Sequence, residues 1–574
     1  MDAHFVIKYD QRSYPQKSCS GKGMNAMKSK IYLNQSGYSA DGYKTAVCAL
    51  SSKTFGIYAE NGDEVYSGKL SAPVSDPLSG DTVRTADFSD FRRCGRFYIK
   101  AGTRRSPVFE IKKEPYAELK KTLLKSFYFN RCGMDLLTDF AGPYARRKCH
   151  SAPVPLYENE TVKLDVSGGW HDSGSFGRHV ITACTALGHL LNAYLAFPDR
   201  FSCRTDISDS KKSVPDILTE CRWELEWLLK MQDKDGGVYH KVSSAKITDC
   251  FVMPDEDTSK MFVFGKSHSA CASFAACTAL ASRIFGQFDE KFADRLRSAS
   301  FSAWVWLMNN PDHKPFVNPP AVTDGEYSAD NFKDQIFRAA CELYAITGDE
   351  EFHKKIFDTF GEIKLAGFDW IHTAGFGSLT YIFSDCRKDE LLLTTMKNRF
   401  RSIGDYFSSM AASNGFGIAK ENNCFLWGSN MTVLCYAMTL AYGYIIHGNE
   451  NYLKTAVSHF DYILGKNPLG MCYVTGISDR SCMHPHHFQS AADDVDEPVP
   501  GLVCGGPDML RSDDYAKWHI PLGTPPAKCY VDNEFSYSTN DTAIYWDSPA
   551  VFMAAFFEEL ENDPKLTSIR KRLK

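Results

Sequence analysis

The chain has 574 residues, 44% of them apolar, and its 65 basic and 70 acidic side chains leave a net charge of −5. That length exceeds a single hydrophobic core, and the apolar content suffices for globular packing, so two or more folded domains are expected. Charges of both signs are interspersed, which provides no basic footprint for a polyanion and excludes nucleic acid as the expected partner.

Residues 1–27 carry charges throughout, and no run of about seven to fifteen apolar residues follows them to form a signal-peptide core. This segment reads as a disordered extension, with Met24 or Met27 as a candidate start. Nineteen cysteines, an odd count, are scattered through apolar runs such as Ser269 to Cys277. They fit reduced core thiols better than a disulfide framework, and the expected location is the cytoplasm. No stretch reaches the roughly 20 apolar residues of a membrane span. The leanest, Val433 to Ile446, contains Tyr, Thr and Gly and reads as a buried helix, so no membrane partner is expected.

Over residues 28–113, short β-type runs alternate with turns: Thr45 to Leu50, Thr54 to Tyr58, Glu64 to Tyr66, Arg96 to Ile99 and Val108 to Ile111. Asn61-Gly62 between two of them is a type I′ hairpin signal. Together they predict a small β-sandwich acting as a packing platform. From residue 114 to 574 the hydrophobic period lengthens to that of a helix. Leu218, Cys221, Leu225, Leu228 and Leu229 form one stripe, opened by Pro215 and closed by Gly236-Gly237. Similar patterns near 176–196, 268–286, 330–347, 426–447 and 450–464 predict a large, mainly α domain. Long loops such as 465–540 become candidate site walls.

Cys132, Cys149, His150 and His171 offer two thiolates and two imidazoles, a donor set that suits a closed tetrahedral zinc site. Their spacing is not that of a zinc finger, so the residues alone leave buried thiols and ordinary histidines open.

Two further segments carry carboxylates in glycine- or serine-rich loops. The first is Gly168-Gly169-Trp170-His171-Asp172-Ser173-Gly174-Ser175, and the second runs from Tyr530-Val531-Asp532-Asn533 through Ser536-Tyr537-Ser538-Thr539-Asn540-Asp541 to Trp546. With Trp427-Gly428-Ser429-Asn430, Gly465-Lys466-Asn467-Pro468-Leu469-Gly470, His484-Pro485-His486-His487 and Glu497-Pro498-Val499-Pro500-Gly501, they occur in the order found in glycoside hydrolase family 9. Over about residues 30 to 560 the chain resembles that family of inverting cellulases. The resemblance implies an (α/α)6 barrel of twelve helices, preceded by an immunoglobulin-like β-sandwich. It implies a β-linked glucan or oligosaccharide as partner, and it matches the zinc-binding residues of a subset of the family at Cys132, Cys149, His150 and His171.

The family writes its first loop Asp-x-x-Asp and carries a glutamate in the second. By resemblance, Asp172 keeps the first aspartate, Ser175 stands where the main base would be, and Asp541 replaces the acid one methylene short. A neutral serine cannot take a water proton, and such assistance is worth about 10²- to 10⁴-fold. The expectation is therefore either a glycosidase working through Asp172 and Asp541 or an impaired relative that binds sugar without cleaving it. Glu534 shares the acid loop and reads as an exposed glutamate. His486 is a candidate sugar contact, and Phe488, where relatives carry arginine, offers a stacking face in its place. Trp546 and Trp170 are candidate sugar platforms, whereas Trp427 reads as structural. Calcium, bound by some relatives beside the helix that Pro215 opens here, has Asp216 and Glu220 as candidate ligands; both could equally be acidic residues at a helix N-terminus.

Overall fold

The structure is a computed structural model that describes residues 29–247, 251–328, 332–363, 367–563 and 566–572. The extension expected over residues 1–27 lies outside them. Strands β1 (Ile31–Tyr32), β2 (Tyr38–Ser39), β3 (Thr45–Cys48), β4 (Thr54–Ala59), β5 (Glu64–Lys69), β6 (Val74–Ser75), β7 (Thr82–Asp87), β8 (Gly95–Ala101), β9 (Arg104–Arg105) and β10 (Phe109–Lys112) form two sheets. One has the order β1-β3-β7-β6 and the other β2-β10-β8-β4-β5, with β9 beside β8. Their inward residues, among them Ile31, Tyr38, Phe55, Ile57, Phe97, Ile99, Phe109 and Ile111, share one core, as alternating patterns on two facing sheets require. The Asn61-Gly62 hairpin joins β4 and β5, but its turn is not type I′. Gly62 has φ +96 while Asn61 is not among the residues with positive φ, and type I′ needs it at both central positions. The Gly62 amide donates to Ala59 O and the Ala59 amide to Asp63 O, both at 2.9 Å, which makes a longer loop closed by one left-handed glycine.

From Ala117 onward, helices dominate. Val180–Ala196, His268–Phe285, Lys333–Thr347, Ala374–Phe383, Ser429–His447 and Ile544–Asn562 form the inner ring. Each packs on an inner neighbour, and Ile544–Asn562 closes the ring by touching both Val180–Ala196 and Ser429–His447. Ala117–Phe129, Asp216–Lys230, Glu290–Asn309, Glu350–Phe360, Glu390–Ala412 and Glu450–Ile463 lie outside. These are the twelve helices of an (α/α)6 barrel, counted among the described residues. Inner helices such as Val180–Ala196 are buried on nearly every side, whereas Glu350–Phe360 buries one stripe. No helix among the described residues is long and apolar enough to cross a membrane.

The barrel region also contains β-structure that helical periodicity did not predict. Strands β11 (Val154–Pro155) and β12 (Lys163–Leu164) pair, and β13 (Arg178–His179), β14 (Tyr239–Ser244) and β15 (Met261–Lys266) form a three-stranded antiparallel sheet. Five of the six residues of β14 are buried, so the polar-apolar alternation that marks a half-exposed strand is missing. The sandwich rests on the barrel: Asn34 Nδ2 donates to Asp461 Oδ1 at 2.8 Å, the Gly415 amide to Asp76 Oδ1 at 3.0 Å and the Ala527 amide to Leu78 O at 2.9 Å.

Candidate active site and metal centre

The loop bearing Asp172 is seated on one face of the helix Asp216–Lys230. Glu220, Glu224 and Trp227 are four and three residues apart, so they share that face. Glu224 Oε2 accepts from the Trp170 amide at 2.6 Å, Glu220 Oε1 accepts from the Trp170 indole at 2.8 Å, and Gly169 is packed so tightly on Trp227 that a Cβ would lie 2.8 Å from its ring. Trp170 is therefore a core residue, 1% exposed and 4.8 Å from the Phe127 ring, and the expected sugar platform is corrected to a structural anchor.

The second carboxylate loop is pinned by Asn540, whose side-chain amide donates to Val531 O at 2.9 Å and to His484 O and Asn533 O at 3.1 Å. Asp513 Oδ2 accepts from Ser536 Oγ and from the Ser538 amide, both at 2.9 Å. Asp541 follows at the end of the short helix Tyr537–Asn540, and its Oδ1 accepts from the Thr542 amide at 2.9 Å and the Gly174 amide at 3.3 Å. The two loops thus meet through Gly174. A Cβ there would lie 1.8 Å from His486 O, so only glycine permits the approach. Burial pushes the Asp541 carboxyl up to about 7, against the pull of the two amides and a hydrogen bond from Trp427, and the Asp172 carboxylate adds to the rise.

Asp172 is buried, and neither of its carboxylate oxygens has a hydrogen-bond partner. Facing it is the imidazole of His179, whose Nδ1, also without a hydrogen-bond partner, lies 3.4 Å from Asp172 Oδ2. The other ring nitrogen of His179 faces Asp324 Oδ2 at 2.9 Å, and Lys241 Nζ lies 3.2 Å from the same oxygen. The Tyr327 ring stands edge-on to His179 at 4.7 Å. Ser175 is half-buried with Ser173 Oγ 3.5 Å away, and with Ile247, Val252, Met261, Asp324 and Phe488 it lines a small cavity of about 20 Å³.

The remaining candidates are distributed differently from the sequence reading. His486 is buried, its Nδ1–H donates to Glu534 O at 2.6 Å, and burial holds its pKa below the ordinary value. Phe488 is 3% exposed, packed on Phe176 at 5.6 Å and His486 at 5.6 Å, so the open stacking face expected of it is absent. Trp546, 4% exposed, belongs to the barrel core and not to a sugar platform. Trp427, expected to be structural, is 37% exposed, lies tilted against Tyr537 with ring centroids 5.1 Å apart, and sits close enough to Asp541 to oppose the rise of its carboxyl. Glu534 is half-buried rather than exposed, with Oε2 3.7 Å from His484 Nδ1. His179, Asp324, Lys241 and Tyr327 were missed by sequence reasoning. His179 and Asp324 are 145 positions apart, and no local pattern joins them.

Cys132, Cys149, His150 and His171 converge, one ligand atom from each lying within 4.8 Å of the others. The separations are 3.8 Å between the two sulfurs, 3.6 Å from Cys149 Sγ to His171 Nε2 and 3.9 Å from Cys132 Sγ to His150 Nδ1. Metal–sulfur bonds of about 2.3 Å and metal–nitrogen bonds of about 2.0 Å around a tetrahedron require edges of about 3.8 Å and 3.5 Å, so the donor set fits a metal ion. His150 Nε2 meets Asp257 Oδ2 at 3.0 Å, the outer carboxylate that commonly orients a metal-bound imidazole.

Asp216 and Glu220 do not form a calcium site. Asp216 accepts from the Thr205 amide at 2.7 Å and from Ser210, and Glu220 is bound by the Arg131 guanidinium at 2.9 Å. Their oxygens are spent on different partners, which leaves the reading of a helix N-terminus and its neighbouring ion pair.

Residues 116–554 match the model of the Glycosyl hydrolase family 9, and residues 26–106 that of the Cellulase N-terminal ig-like domain. The chain is 35% identical over 541 residues to a cellodextrinase of Butyrivibrio fibrisolvens, covering 91% of this chain and 98% of that protein. It is 32% identical to a xyloglucan-specific endo-beta-1,4-glucanase of Bacteroides ovatus, covering 92% and 94%. Among solved structures, a single mutant of a thermostable endoglucanase from Alicyclobacillus acidocaldarius superposes with a TM-score of 0.87 at 32% identity, over 92% of this chain and 100% of that one. A zinc-binding triple mutant of a family 9 endoglucanase gives 0.85 at 30%, over 90% and 99%.

Proposed function

Since the chain belongs to glycosyl hydrolase family 9, we propose that it hydrolyses β-1,4-linked glucans or short cello-oligosaccharides by inversion, with Asp541 as general acid and Asp172 as general base. The observation that carries this reading is the Asp541 carboxyl. Burial raises it to about 7, so it holds a proton near neutral pH, and the Gly174 amide ties it to the loop of Asp172. An acid so poised can protonate a leaving glycosidic oxygen, while Asp172 takes a proton from the attacking water on the opposite side. Trp427, half-exposed beside Asp541, supplies a flat apolar face for a sugar ring.

Cys132, Cys149, His150 and His171 would hold zinc in a closed, structural site, consistent with their two-sulfur, two-nitrogen chemistry. Bound there, zinc supplies rigidity: His171 precedes Asp172, so the metal anchors the base loop. All cysteines among the described residues are free, which supports a reducing compartment, the cytoplasm.

Ser175 favours a second reading, a family member that binds β-linked oligosaccharides without cleaving them, because its hydroxyl cannot serve as base. Product formation from cello-oligosaccharides, compared with Asp541→Asn, separates the two. Turnover abolished by the substitution supports hydrolysis, and saturable binding with no product over long incubation supports the second reading.

A further inference from the structure

We propose that His179, clamped between Asp172 and Asp324, is the positioning residue that lets Asp172 serve as base where Ser175 cannot. This rests on the role given to Asp172 above. The imidazole has a carboxylate at each nitrogen: Asp172 Oδ2 lies 3.4 Å from Nδ1 and Asp324 Oδ2 2.9 Å from Nε2. A neutral ring carries one N–H and one lone pair, so it would set that lone pair against a carboxylate oxygen. A ring protonated on both nitrogens satisfies both neighbours. All of these groups are buried, where an uncompensated charge is costly, and Lys241 completes the balance. With Lys241 Nζ 3.2 Å from Asp324 Oδ2, two carboxylates face two cations. The pull of Asp324 and Asp172 holds the His179 pKa above its ordinary value despite burial.

The sheet fixes this geometry. His179 on β13 and Lys241 on β14 are register partners, so both reach Asp324, which enters from the segment before Tyr327. Lys241 Nζ also donates to Gly325 O at 2.7 Å, and the Tyr327 ring covers the imidazole. Other titratable groups that face the pair are His240 on β14, Glu224 on the helix beneath the loop, Asp541 of the second loop, Tyr327, and Tyr545 on the last inner helix. His179 is the one of them that contacts both carboxylates. The Asp172 carboxylate has no hydrogen-bond partner and His179 Nδ1 has none either, so the two unsatisfied groups face each other at 3.4 Å, within the reach of an ion pair. Asp324, bordering the cavity beside Ser175, acts through His179 as a brace.

Two measurements test this on the metal-loaded full chain. In nitrogen NMR of protein containing isotope-labelled histidine, the His179 signal, identified by its loss in His179→Gln, is expected to show both ring nitrogens protonated at neutral pH. Asp324→Asn is expected to remove one of those protons. A neutral ring in the unsubstituted protein overturns the clamp. This spectrum is read without substrate, so a chain that hydrolyses nothing sinks the proposed hydrolysis while the charge state of His179 is still decided. In kinetics, His179→Gln is expected to lower kcat by about 10²-fold or more with KM little changed, the scale of lost general-base assistance. The same substitution in an Asp172→Asn background is expected to add nothing, because the two act as one unit. An unchanged kcat, or losses that multiply in the double variant, overturns the positioning role.

Discussion

At the residue scale, the proposed hydrolysis turns on one carboxyl that holds its proton, Asp541, and another, Asp172, that faces the His179 imidazole at 3.4 Å. Asp541 works as an acid only while protonated, so kcat is expected to fall as pH rises through about 7, where burial sets its ionisation. Asp541→Asn keeps the shape but has no proton of the required acidity, and its kcat is expected to drop by about 10²-fold or more. A pH–rate profile of the parent chain and single-point kinetics of the variant check both. Ser175 is the opposite case. Its hydroxyl borders a small cavity, and Ser175→Asp combined with Asp541→Glu returns a carboxylate to the position where the family carries its base. A gain of about 10²-fold on cello-oligosaccharides is the expected result. Among the aromatic residues, sequence identified the types but not the faces. Trp170 and Trp546 lie next to site residues yet point inward, while Trp427 is exposed. An indole fits a core and a sugar surface equally well, and only the packing around each decides.

At the element scale, the site depends on two loops held in contact and on the helix beneath one of them. Gly174→Ala forces a Cβ toward His486 O and separates the Gly174 amide from Asp541. A displacement of about 1 Å at the reacting groups costs about 10²-fold, so activity is expected to collapse while circular dichroism remains that of the folded chain. Beneath the first loop, Glu220 pairs with an Arg131 guanidinium that is fully buried. Glu220→Gln leaves that cation with Asp209 as its remaining acidic partner, and a loss of about 3 kcal/mol or more in denaturant unfolding is expected. The metal group tests the same loop from the other side. Elemental analysis is expected to find one zinc per chain, and Cys149→Ser or strong chelation is expected to lower both Tm and kcat. The helix Asp216–Lys230 was legible because Pro215 and one apolar stripe mark it. The sheet β13–β14–β15 was not, since its middle strand is buried and does not alternate.

At the scale of the whole molecule, the β-sandwich and the barrel share buried polar contacts. Asp461 lies on a barrel helix, accepts from Asn34 of the sandwich at 2.8 Å and sits 3.6 Å from Lys466 Nζ. The Lys466 ammonium in turn donates to Thr45 Oγ1 at 3.0 Å. The two parts are expected to unfold in one calorimetric transition, which Asp461→Ala lowers and broadens. Family order of motifs made the architecture and both carboxylate loops readable, because each motif is continuous in the chain. The His179–Asp324–Lys241 group was unreadable because its members are brought together by a strand register and a distant loop. Incubation of the metal-loaded protein with cello-oligosaccharides of increasing length, products followed by chromatography beside Asp541→Asn, decides whether the chain hydrolyses them. Hydrolysis through Asp541 yields shorter cello-oligosaccharides from the parent chain and almost none from the variant. No product from a folded parent chain, or equal product from both, contradicts it.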